Sequence, residues 1–521
     1  MKHLVQSILL FVFILHVNIT FSQLANGEWR DHLAYVKGIG IAAFEQKVFC
    51  ASSSGIFYYD KRDQSITKIS KVNGLNDVGI TSVGADAETR HLIIAYKNGG
   101  IDIFDNKNFF YLTDIKRKNI LGDKQINKIV IHDQLAYLAT GFGIVVLDYL
   151  KREIKDTYIF GPDGTNLSVN DIEVNDNQIY AATAKGIYHA DLTNPNLVNY
   201  NFWDILTDLP FPNGNYSHIE ISPDKSHWFA ALRNEDTNKD DIYYLQNDAW
   251  TIWEHDLNER YHDFFIYNDL VYYITFGAVT EYDLSNNTRR KLWAGLPRQA
   301  MLIDDHVWAA DLNLGLVQFM PGNRVEYAPN GPKSNEVHDI NINGTQVLTA
   351  KGSVTSNYNN VYFSCEFFKF GDEKWTSYVI PEARDAVTIV SNPREPNHFF
   401  GGTWGHGIYE YRNNEMVDSF TINNTERHTL QTIFPNQNFI RIGGMAFDRD
   451  GNLWVTNAGV ENTLSVRSTE GNWTAFKYDD IVDAQNVADI IVTKNNHKWV
   501  QIPNGEGLFV FNDNGTIDDD S

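Results

Sequence analysis

The residues best suited to chemistry in this 521-residue sequence form a short basic run. Lys116, Arg117 and Lys118 are consecutive, and Lys124 follows closely. Guanidinium and ammonium groups hold phosphates and acidic sugars through charge-assisted hydrogen bonds. The run therefore predicts a binding site for an anionic glycan. The alternative interpretation is a solvated loop without a ligand.

A second basic run has the same chemistry. Arg289, Arg290 and Lys291 are consecutive and lie just before Trp293. An aromatic ring beside a cation suits sugar binding, but aromatic residues make up 13% of the sequence, so this proximity is expected by chance. This run is the weaker candidate.

No pattern predicts a catalytic centre, a metal site or a cofactor. His255, His262 and His406 are scattered, and neither a serine nucleophile elbow nor an HExxH helix accompanies them. Two acidic segments, 234–241 and 512–520, offer oxygen ligands, but neither has the twelve-residue calcium loop with its terminal Glu. The sequence favours solvated acidic turns over calcium sites and predicts a protein that is not an enzyme.

The overall charge restricts the class of partner. The sequence has 43 Lys and Arg against 66 Asp and Glu, which gives a net charge of -23. Duplex nucleic acid requires a broad positive surface, so a nucleic-acid partner is excluded. An anionic ligand would need a local basic patch such as the run that begins at Lys116.

The N-terminal residues have the pattern of a secretory signal. Lys2 and His3 precede an apolar run, and small residues lie just before Gln23. No cysteine follows that run, and no later segment approaches the roughly 20 apolar residues that span a bilayer. We therefore expect an exported protein with a signal peptide at 1–22 and no transmembrane segment after it.

A repeat must position the candidate residues. Each unit has a strand of alternating apolar residues, a turn that ends in Gly, and a second strand that often ends in Asp. The turn glycines Gly55, Gly100, Gly143 and Gly186 are 45, 43 and 43 residues apart. A period of about 40–45 residues with four strands per unit is typical of β-propeller blades. The fold class predicted is all-β.

The repeat predicts two propellers. Seven units fill 23–320, and four units follow in 336–521. The segment between them, 321–335, is rich in Pro and Gly and is predicted to be a linker. We expect a seven-bladed first propeller and a partial, truncated second one, whose open ring would leave apolar blade faces in water. Whether the rings are sequential or one is inserted into the other stays open.

Two recurrent features have structural interpretations. The segment FDRDGNLW, with Asp448, Gly451 and Trp454, resembles an Asp-box turn, and we expect Asp and Gly to form the turn while Trp packs between blades. A sialidase-like active site is not implied. Cys50 and Cys365 lie in apolar strands and are expected to be buried free thiols.

Four segments resemble the PorZ family, the double-propeller components of the type IX secretion system in Bacteroidetes. They are KVNGLNDVGI (71–80), DIKRKNILGDKQIN (114–127), ATGFGIVVLD (139–148) and VNDIEVNDNQIYAAT (169–183). The resemblance implies two seven-bladed propellers followed by a C-terminal β-sandwich sorting domain. The sequence ends before such a sandwich could fit, so we expect the sandwich to be absent.

The resemblance also implies a function. In this family the protein lies at the cell surface, in contact with the outer membrane, joins the attachment complex of the PorU sortase with PorV and PorQ, and supplies anionic lipopolysaccharide to the sortase. It is a carrier and scaffold without enzyme activity. One alternative is a periplasmic sensor-type propeller that binds an oligosaccharide, because the repeat is shared with two-component regulators. Another is a propeller hydrolase or lyase, which would need an acid and a base on one propeller face.

Overall fold

The computed structural model describes residues 27–253, 259–425, 429–477, 486–503 and 507–518. The signal peptide predicted at 1–22 lies outside them. The described residues divide into two compact units, one within 31–333 and the other formed by 27–30 and the described residues from 334 onward. The predicted domain boundaries themselves stay predictions.

The all-β prediction is confirmed, and the first unit contains seven four-stranded antiparallel sheets. Each sheet is one blade and uses four consecutive strands. The strands of blades one to four are β1 Gly40–Phe44, β2 Lys47–Ala51, β3 Ile56–Asp60, β4 Ser65–Ile69, β5 Ile80–Asp86, β6 His91–Tyr96, β7 Ile101–Phe104, β8 Phe109–Leu112, β9 Ile126–His132, β10 Leu135–Thr140, β11 Gly143–Asp148, β12 Glu153–Tyr158, β13 Val169–Asn175, β14 Gln178–Thr183, β15 Gly186–Asp191 and β16 Asp204–Ile205. Blades five to seven comprise β17 Tyr216–Ile221, β18 Trp228–Asn234, β19 Lys239–Gln246, β20 Ala249–Ile252, β21 Asp263–Tyr267, β22 Leu270–Thr275, β23 Ala278–Asp283, β24 Thr288–Trp293, β25 Pro297–Ile303, β26 His306–Asp311, β27 Gly315–Met320 and β28 Asn323–Tyr327.

Helices are few in the described part of the chain. One short α-helix, α1, spans Asp114–Arg117 between the second and third blades. Two 3-10 turns span Pro162–Gly164 and Tyr200–Phe202. No described helix has the length and apolar character that a bilayer crossing requires.

The first propeller closes by packing its first blade against its seventh, without exchange of a strand. Phe57 and Cys50 of the first blade share one buried apolar cluster with Trp308 and Leu316 of the seventh. The Gly38 amide also donates a hydrogen bond to the Asp311 carbonyl at 2.9 Å. Because each blade has one apolar face for each neighbour, closure buries the faces that an open array would leave in water.

The repeated turn between the second and third strands has a specific hydrogen bond. The Thr140 hydroxyl donates to the Gly143 carbonyl at 2.8 Å, and Thr183 donates to Gly186 at 2.7 Å in the next blade. Gly143 has φ +145, and a Cβ there would lie 2.1 Å from the Tyr158 carbonyl oxygen. The periodic glycine is therefore required both by its backbone conformation and by the approach of the fourth strand.

The periodic Asp closes the following turn. Asp60 accepts a hydrogen bond from the Arg62 amide at 3.0 Å, and Asp191 accepts one from the Thr193 amide at 2.8 Å. An Asp carboxylate that binds the amide two residues later is an Asx turn. The Gly and the Asp that reveal the repeat in the sequence are thus the residues that shape its two turns.

The segment 321–335, which was predicted as a linker, contains β28, the fourth strand of the seventh blade. Arg324, Val325 and Glu326 pair with β27. The prolines lie at 321, 329 and 332, outside the strand, so they leave its backbone amides free to pair. The high Pro and Gly content of the segment therefore comes from the residues that flank this strand.

The second unit contains four blades in sequence. They are built from β29 Asp339–Asn343, β30 Gln346–Lys351, β31 Ser364–Gly371, β32 Lys374–Arg384, β33 Ala386–Ser391, β34 His398–Gly405, β35 Ile408–Arg412, β36 Glu415–Phe420, β37 Ile440–Phe447, β38 Leu453–Ala458, β39 Leu464–Arg467, β40 Trp473–Phe476, β41 Ile490–Val492, β42 Lys498–Ile502 and β43 Gly507–Phe511. The last blade has three described strands, and a short β34–β37 pairing joins the second and third blades. This arrangement agrees with a partial second propeller.

Both outer blades of the second unit carry exposed apolar side chains. Ile340 and Ile342 of β29 are 60% and 66% exposed. Ile491 and Leu508, on the last blade, are 58% and 63% exposed. These residues would normally lie in the core between two blades.

The Asp448 turn has the structural role predicted for it. One carboxylate oxygen of Asp448 accepts hydrogen bonds from the amides of Asp450 and Asn452, and the other accepts from the Trp454 indole at 3.0 Å. Trp454 is buried in the core beside Phe476. The turn therefore orients a packing residue.

The two thiols are free and buried, as predicted. Burial raises the pKa of the Cys50 thiol far above its usual value, and the Asp311 carboxylate adds to this shift. Cys50 therefore behaves as a small apolar side chain in the contact between the first and seventh blades.

Candidate functional site

The predicted basic run lies on α1 and the loop that follows it. The Lys116 ammonium donates hydrogen bonds to the Asp77 carboxylate at 2.6 Å and to the Tyr111 hydroxyl at 3.0 Å. Although burial opposes ionisation, the donors around Asp77, Lys116 foremost, hold its pKa well below the usual range. Lys116 is therefore already paired with a carboxylate.

The other three predicted residues differ in how they are held. The Lys124 ammonium donates to the Lys116 carbonyl at 2.9 Å, which fixes it against α1. Arg117 and Lys118 are exposed, and neither forms an ion pair within the described residues. The cations available to an external anion in this patch are thus Arg117 and Lys118.

The second basic run lies on β24, an outer strand of the sixth blade. Arg290 binds the Glu281 carboxylate through two nitrogens, at 2.9 and 3.2 Å. The Lys291 ammonium lies 5.8 Å from the centre of the Trp293 ring. The ion pair with Glu281 neutralises the central cation of this run, which supports its assignment as the weaker candidate.

The acidic segment 234–241 forms the hairpin between β18 and β19. Asp240 is buried, lies 3.4 Å from the Arg233 guanidinium and accepts a hydrogen bond from the Tyr261 amide at 3.0 Å. No group of three or more His, Cys, Asp or Glu residues arranged to hold a metal ion occurs in the described ranges. The other acidic segment, 512–520, extends past the described residues at 519.

The innermost strands of the first propeller surround a polar axial cavity of about 370 Å³. Its lining includes Asn127, Lys128, Asn170, Arg233, His262 and Arg298. They come from the third to the seventh blade. The cavity is therefore a property of the closed ring.

In three successive blades, a bulge in the inner strand directs one side chain toward the next blade. Thr81, Asn127 and Asn170 each occupy such a bulge. They donate hydrogen bonds to the carbonyls of Ile126, Val169 and Tyr216, at 2.8, 2.8 and 2.7 Å. At a bulge the extra residue leaves the ladder, so its side chain is free to bind a neighbour. These residues join successive blades.

An ion-pair cluster lies inside the cavity. The Lys128 ammonium is 2.9 Å from the Asp263 carboxylate and 3.8 Å from that of Asp171. Although burial opposes the charged form, these carboxylates raise the pKa of Lys128 above its usual value. Lys128 thus links the third blade to the fourth and sixth.

Two further acids lie close to this cluster. Burial and the nearby Asp171 carboxylate raise the pKa of Glu173 to about 8. Burial and the proximity of Glu173 raise the pKa of Glu220 well above its usual value. Burial therefore favours the protonated form of both carboxyl groups, which lowers the negative charge around the Lys128 cluster.

Comparison with known proteins identifies one family over part of the chain. Residues 48–204 match the model described as the type IX secretion system PorZ, N-terminal β-propeller domain. The chain resembles PorZ. No curated protein sequence matches.

A solved structure supports this resemblance at the level of the fold. The structure of PorZ from Porphyromonas gingivalis, described as an essential bacterial surface component of its type IX secretion system, is 20% identical with a TM-score of 0.80 and covers 95% of this chain and 67% of its own. The extracellular domain of the putative hybrid two-component system BT3049 from B. thetaiotaomicron is 12% identical, covers 94% and 70%, and has a TM-score of 0.43. The corresponding domain of BT4673 is 11% identical, covers 91% and 60%, and has a TM-score of 0.29.

The region that matches PorZ contains all four predicted glycan-binding residues and part of the axial cavity. Lys128 and Asn170 lie within it, whereas His262 and Arg298 lie beyond it. The sequence analysis named no cavity residue as a site. The signal that could have identified such residues was their position in the repeat. Equivalent bulges hold Thr81, Asn127, Asn170 and Arg298. Three of these are short and uncharged, and the fourth is an arginine.

Proposed function

We propose that this protein is a component of a type IX secretion system that is exported to the cell surface. The match of residues 48–204 to the PorZ N-terminal propeller model carries the proposal. The fold likeness to P. gingivalis PorZ, whose description names it a surface component, supports it. In this role the protein is a scaffold and carrier without enzyme activity.

Its ligand in this proposal is an anionic lipopolysaccharide, bound in part by the basic residues on α1. Arg117 and Lys118 support this assignment because both are exposed and carry no carboxylate partner within the described residues. Charge-assisted hydrogen bonds from such groups suit the phosphates and acidic sugars of a lipopolysaccharide. Lys116 and Lys124 would then shape the patch.

The experiment is a binding titration of the purified chain with lipopolysaccharide from its own organism. Lipopolysaccharide that lacks the acidic glycan is the ligand control, and the titration is repeated at low and moderate salt. Selective binding that weakens with salt is expected, because exposed charges are screened. Salt-independent binding of a neutral oligosaccharide would instead favour the sensor-type alternative.

The double variant Arg117→Glu and Lys118→Glu tests whether these two residues bind the acidic glycan. Reversing both charges is expected to abolish the selectivity for the acidic glycan while leaving the fold intact, because both side chains are exposed. Lys107→Glu, an exposed lysine of the same propeller, is the matched control. Lys116 is left unchanged because its loss would leave Asp77 without its ion pair.

The proposed protein partners are the PorU sortase, PorV and PorQ. Purification of the tagged chain from its own cells is expected to recover these three proteins, identified by mass spectrometry. Recovery of none of them from outer-membrane extracts would contradict membership of the attachment complex, whatever the outcome of the glycan titration.

A further inference from the structure

The seventh blade breaks the pattern of short side chains at the inner-strand bulges. Its bulged residue is Arg298, between Pro297 and Gln299. Its guanidinium lines the axial cavity and contacts Nε2 of His262 from the sixth blade. The short side chain that bonds the next blade is thus replaced by a cation that lines the cavity and contacts the preceding blade.

Nearby acids do not neutralise Arg298. In the described part of the chain it forms no salt bridge, and burial lowers its pKa. The nearest acidic influence is Asp311, whose two oxygens already accept hydrogen bonds from the amides of Gly295, Asn313 and Leu314. The guanidinium therefore keeps donors that no carboxylate satisfies.

The other charged residues of the cavity are paired. Asp171 and Asp263 flank Lys128, and Arg233 lies beside the buried Asp240. Burial and the neighbouring Arg298 lower the pKa of His262 to about 4, so its ring is neutral near pH 7 and can accept at Nε2. Lys128 thus lies between two carboxylates and Arg233 beside one, whereas Arg298 is the cavity cation that has no carboxylate partner among the described residues.

We propose that the axial cavity of the first propeller binds an oxyanion group, a carboxylate or a phosphate, through the Arg298 guanidinium. A planar guanidinium presents paired donors that match such a group. The cavity of about 370 Å³ leaves room for the group and part of the molecule that carries it. Arg233 from the fifth blade also lines this cavity, where it lies beside the Asp240 carboxylate.

This site is separate from the basic patch on α1, and its existence does not depend on lipopolysaccharide binding. Arg298 is the second residue of β25, the inner strand of the seventh blade, whereas Arg117 and Lys118 follow the outer strand of the second. The cavity is also bounded by Asn127 and Asn170, whose amides already bind carbonyls of the next blade. Specificity for the rest of the ligand would come from these fixed polar walls.

The test is calorimetric titration of the whole chain with three probes. Inorganic phosphate represents the phosphate source, glucuronate represents the sugar-acid source, and glucose is the neutral control. We expect at least one of the two anions to bind and glucose not to bind. Arg298→Gln is expected to weaken that binding about tenfold or more, because it removes charge-assisted contacts.

Two further variants isolate the role of Arg298. Arg298→Lys keeps the charge but loses the paired donors, so its affinity is expected between those of the wild type and Arg298→Gln. Arg324→Gln, in the outer strand of the same blade and partnered by Glu326, is the matched control and should bind like the wild type. Circular dichroism and the melting temperature establish that each variant is folded. If Arg298→Gln does not fold, the comparison rests on Arg298→Lys and on crystals grown with the bound anion.

The outcomes are distinct. Failure of both anions to bind the wild type would overturn the proposal, as would binding that Arg298 substitution leaves unchanged or an anion found elsewhere in the crystal. Loss of lipopolysaccharide binding in the Arg117 and Lys118 double variant, with phosphate or glucuronate binding retained, would separate the two sites. Loss of anion binding in Arg298→Gln, with selectivity for lipopolysaccharide retained, would support the axial site as an independent one.

Discussion

At the level of single residues, Glu173 makes the stability of the first propeller depend on pH. Burial and the Asp171 carboxylate raise its pKa from 4.5 to about 8, while Lys128 opposes the shift. Glu220, whose pKa is also raised, is part of the same cluster of carboxyl groups. Because folded Glu173 holds its proton more tightly than unfolded Glu173, its contribution is complete below pH 4.5 and is lost as the pH rises through 8.

Glu173→Gln tests this dependence, because glutamine resembles the protonated acid and does not ionise. We expect the melting temperature of the variant to rise relative to the wild type as the pH increases from 4.5 to 8, and the difference to level off above that. Glu153→Gln, on the exposed strand β12, is the control substitution. A difference that is independent of pH would contradict the buried, protonated state of Glu173.

At the level of the structural element, the periodic glycine combines two constraints that substitution can separate. Gly143 and Gly277 lie in the turn between the second and third strands of their blades, Gly277 one position earlier than Gly143, with φ +145 and +87. A Cβ at Gly143 would meet the Tyr158 carbonyl, whereas nothing lies within 4 Å at Gly277. Gly277→Ala is expected to cost about 1 kcal/mol of unfolding free energy through backbone strain, and Gly143→Ala about 3 kcal/mol.

Urea denaturation followed by tryptophan fluorescence measures the unfolding free energy of both variants. Equal losses would show that backbone conformation alone selects glycine in the repeat. A larger loss at Gly143 would show that the fourth strand also requires it, because its carbonyl approaches the turn too closely for a side chain.

The Asp448 turn is an element whose buried polar atoms depend on one carboxylate. Asp448→Ala removes the acceptor of two amides and of the Trp454 indole, and we expect a loss of about 2 kcal/mol in the stability of the second unit. Asp450→Ala, at an exposed position of the same turn, should change stability by less than about 0.5 kcal/mol. Thermal unfolding followed by near-ultraviolet circular dichroism measures the stability of both variants, since the signal of the buried Trp454 changes on unfolding.

At the level of the whole molecule, the sequence period predicted the architecture but not the axial site. The period indicates the number of blades because each blade repeats the same turn residues, such as Gly143 and Asp191. The linker prediction missed β28 because Pro and Gly flank a strand of only five residues, three of which are polar. In each case local composition identified turns, while strand pairing required the structure.

The axial cavity could not be predicted because its residues approach one another only through ring closure. Lys128 meets Asp263 across 135 positions of sequence, and His262 meets Arg298 between two blades. The basic run on α1 was visible because its members are consecutive. The sequence could not show that Lys116 is paired with Asp77, 39 positions earlier.

The exposed faces of the second unit predict the behaviour of the 521-residue chain in solution. Ile342 and Val347 are opposite each other on one outer blade, and Ile491, Trp499 and Val510 form a row on the other. Adjacent exposed apolar side chains on a sheet face favour association, because association removes their surface from water.

Sedimentation velocity over a range of concentrations measures this association. We expect the wild type to form larger species as its concentration rises, and the double variant Ile342→Lys and Leu508→Lys to stay at the monomer mass. Phe276→Lys, which adds a lysine at an isolated exposed ring of the first propeller, is the control. Because Phe276 lies outside both faces, its substitution should leave the association unchanged, and a decrease equal to that of the double variant would assign the effect to charge.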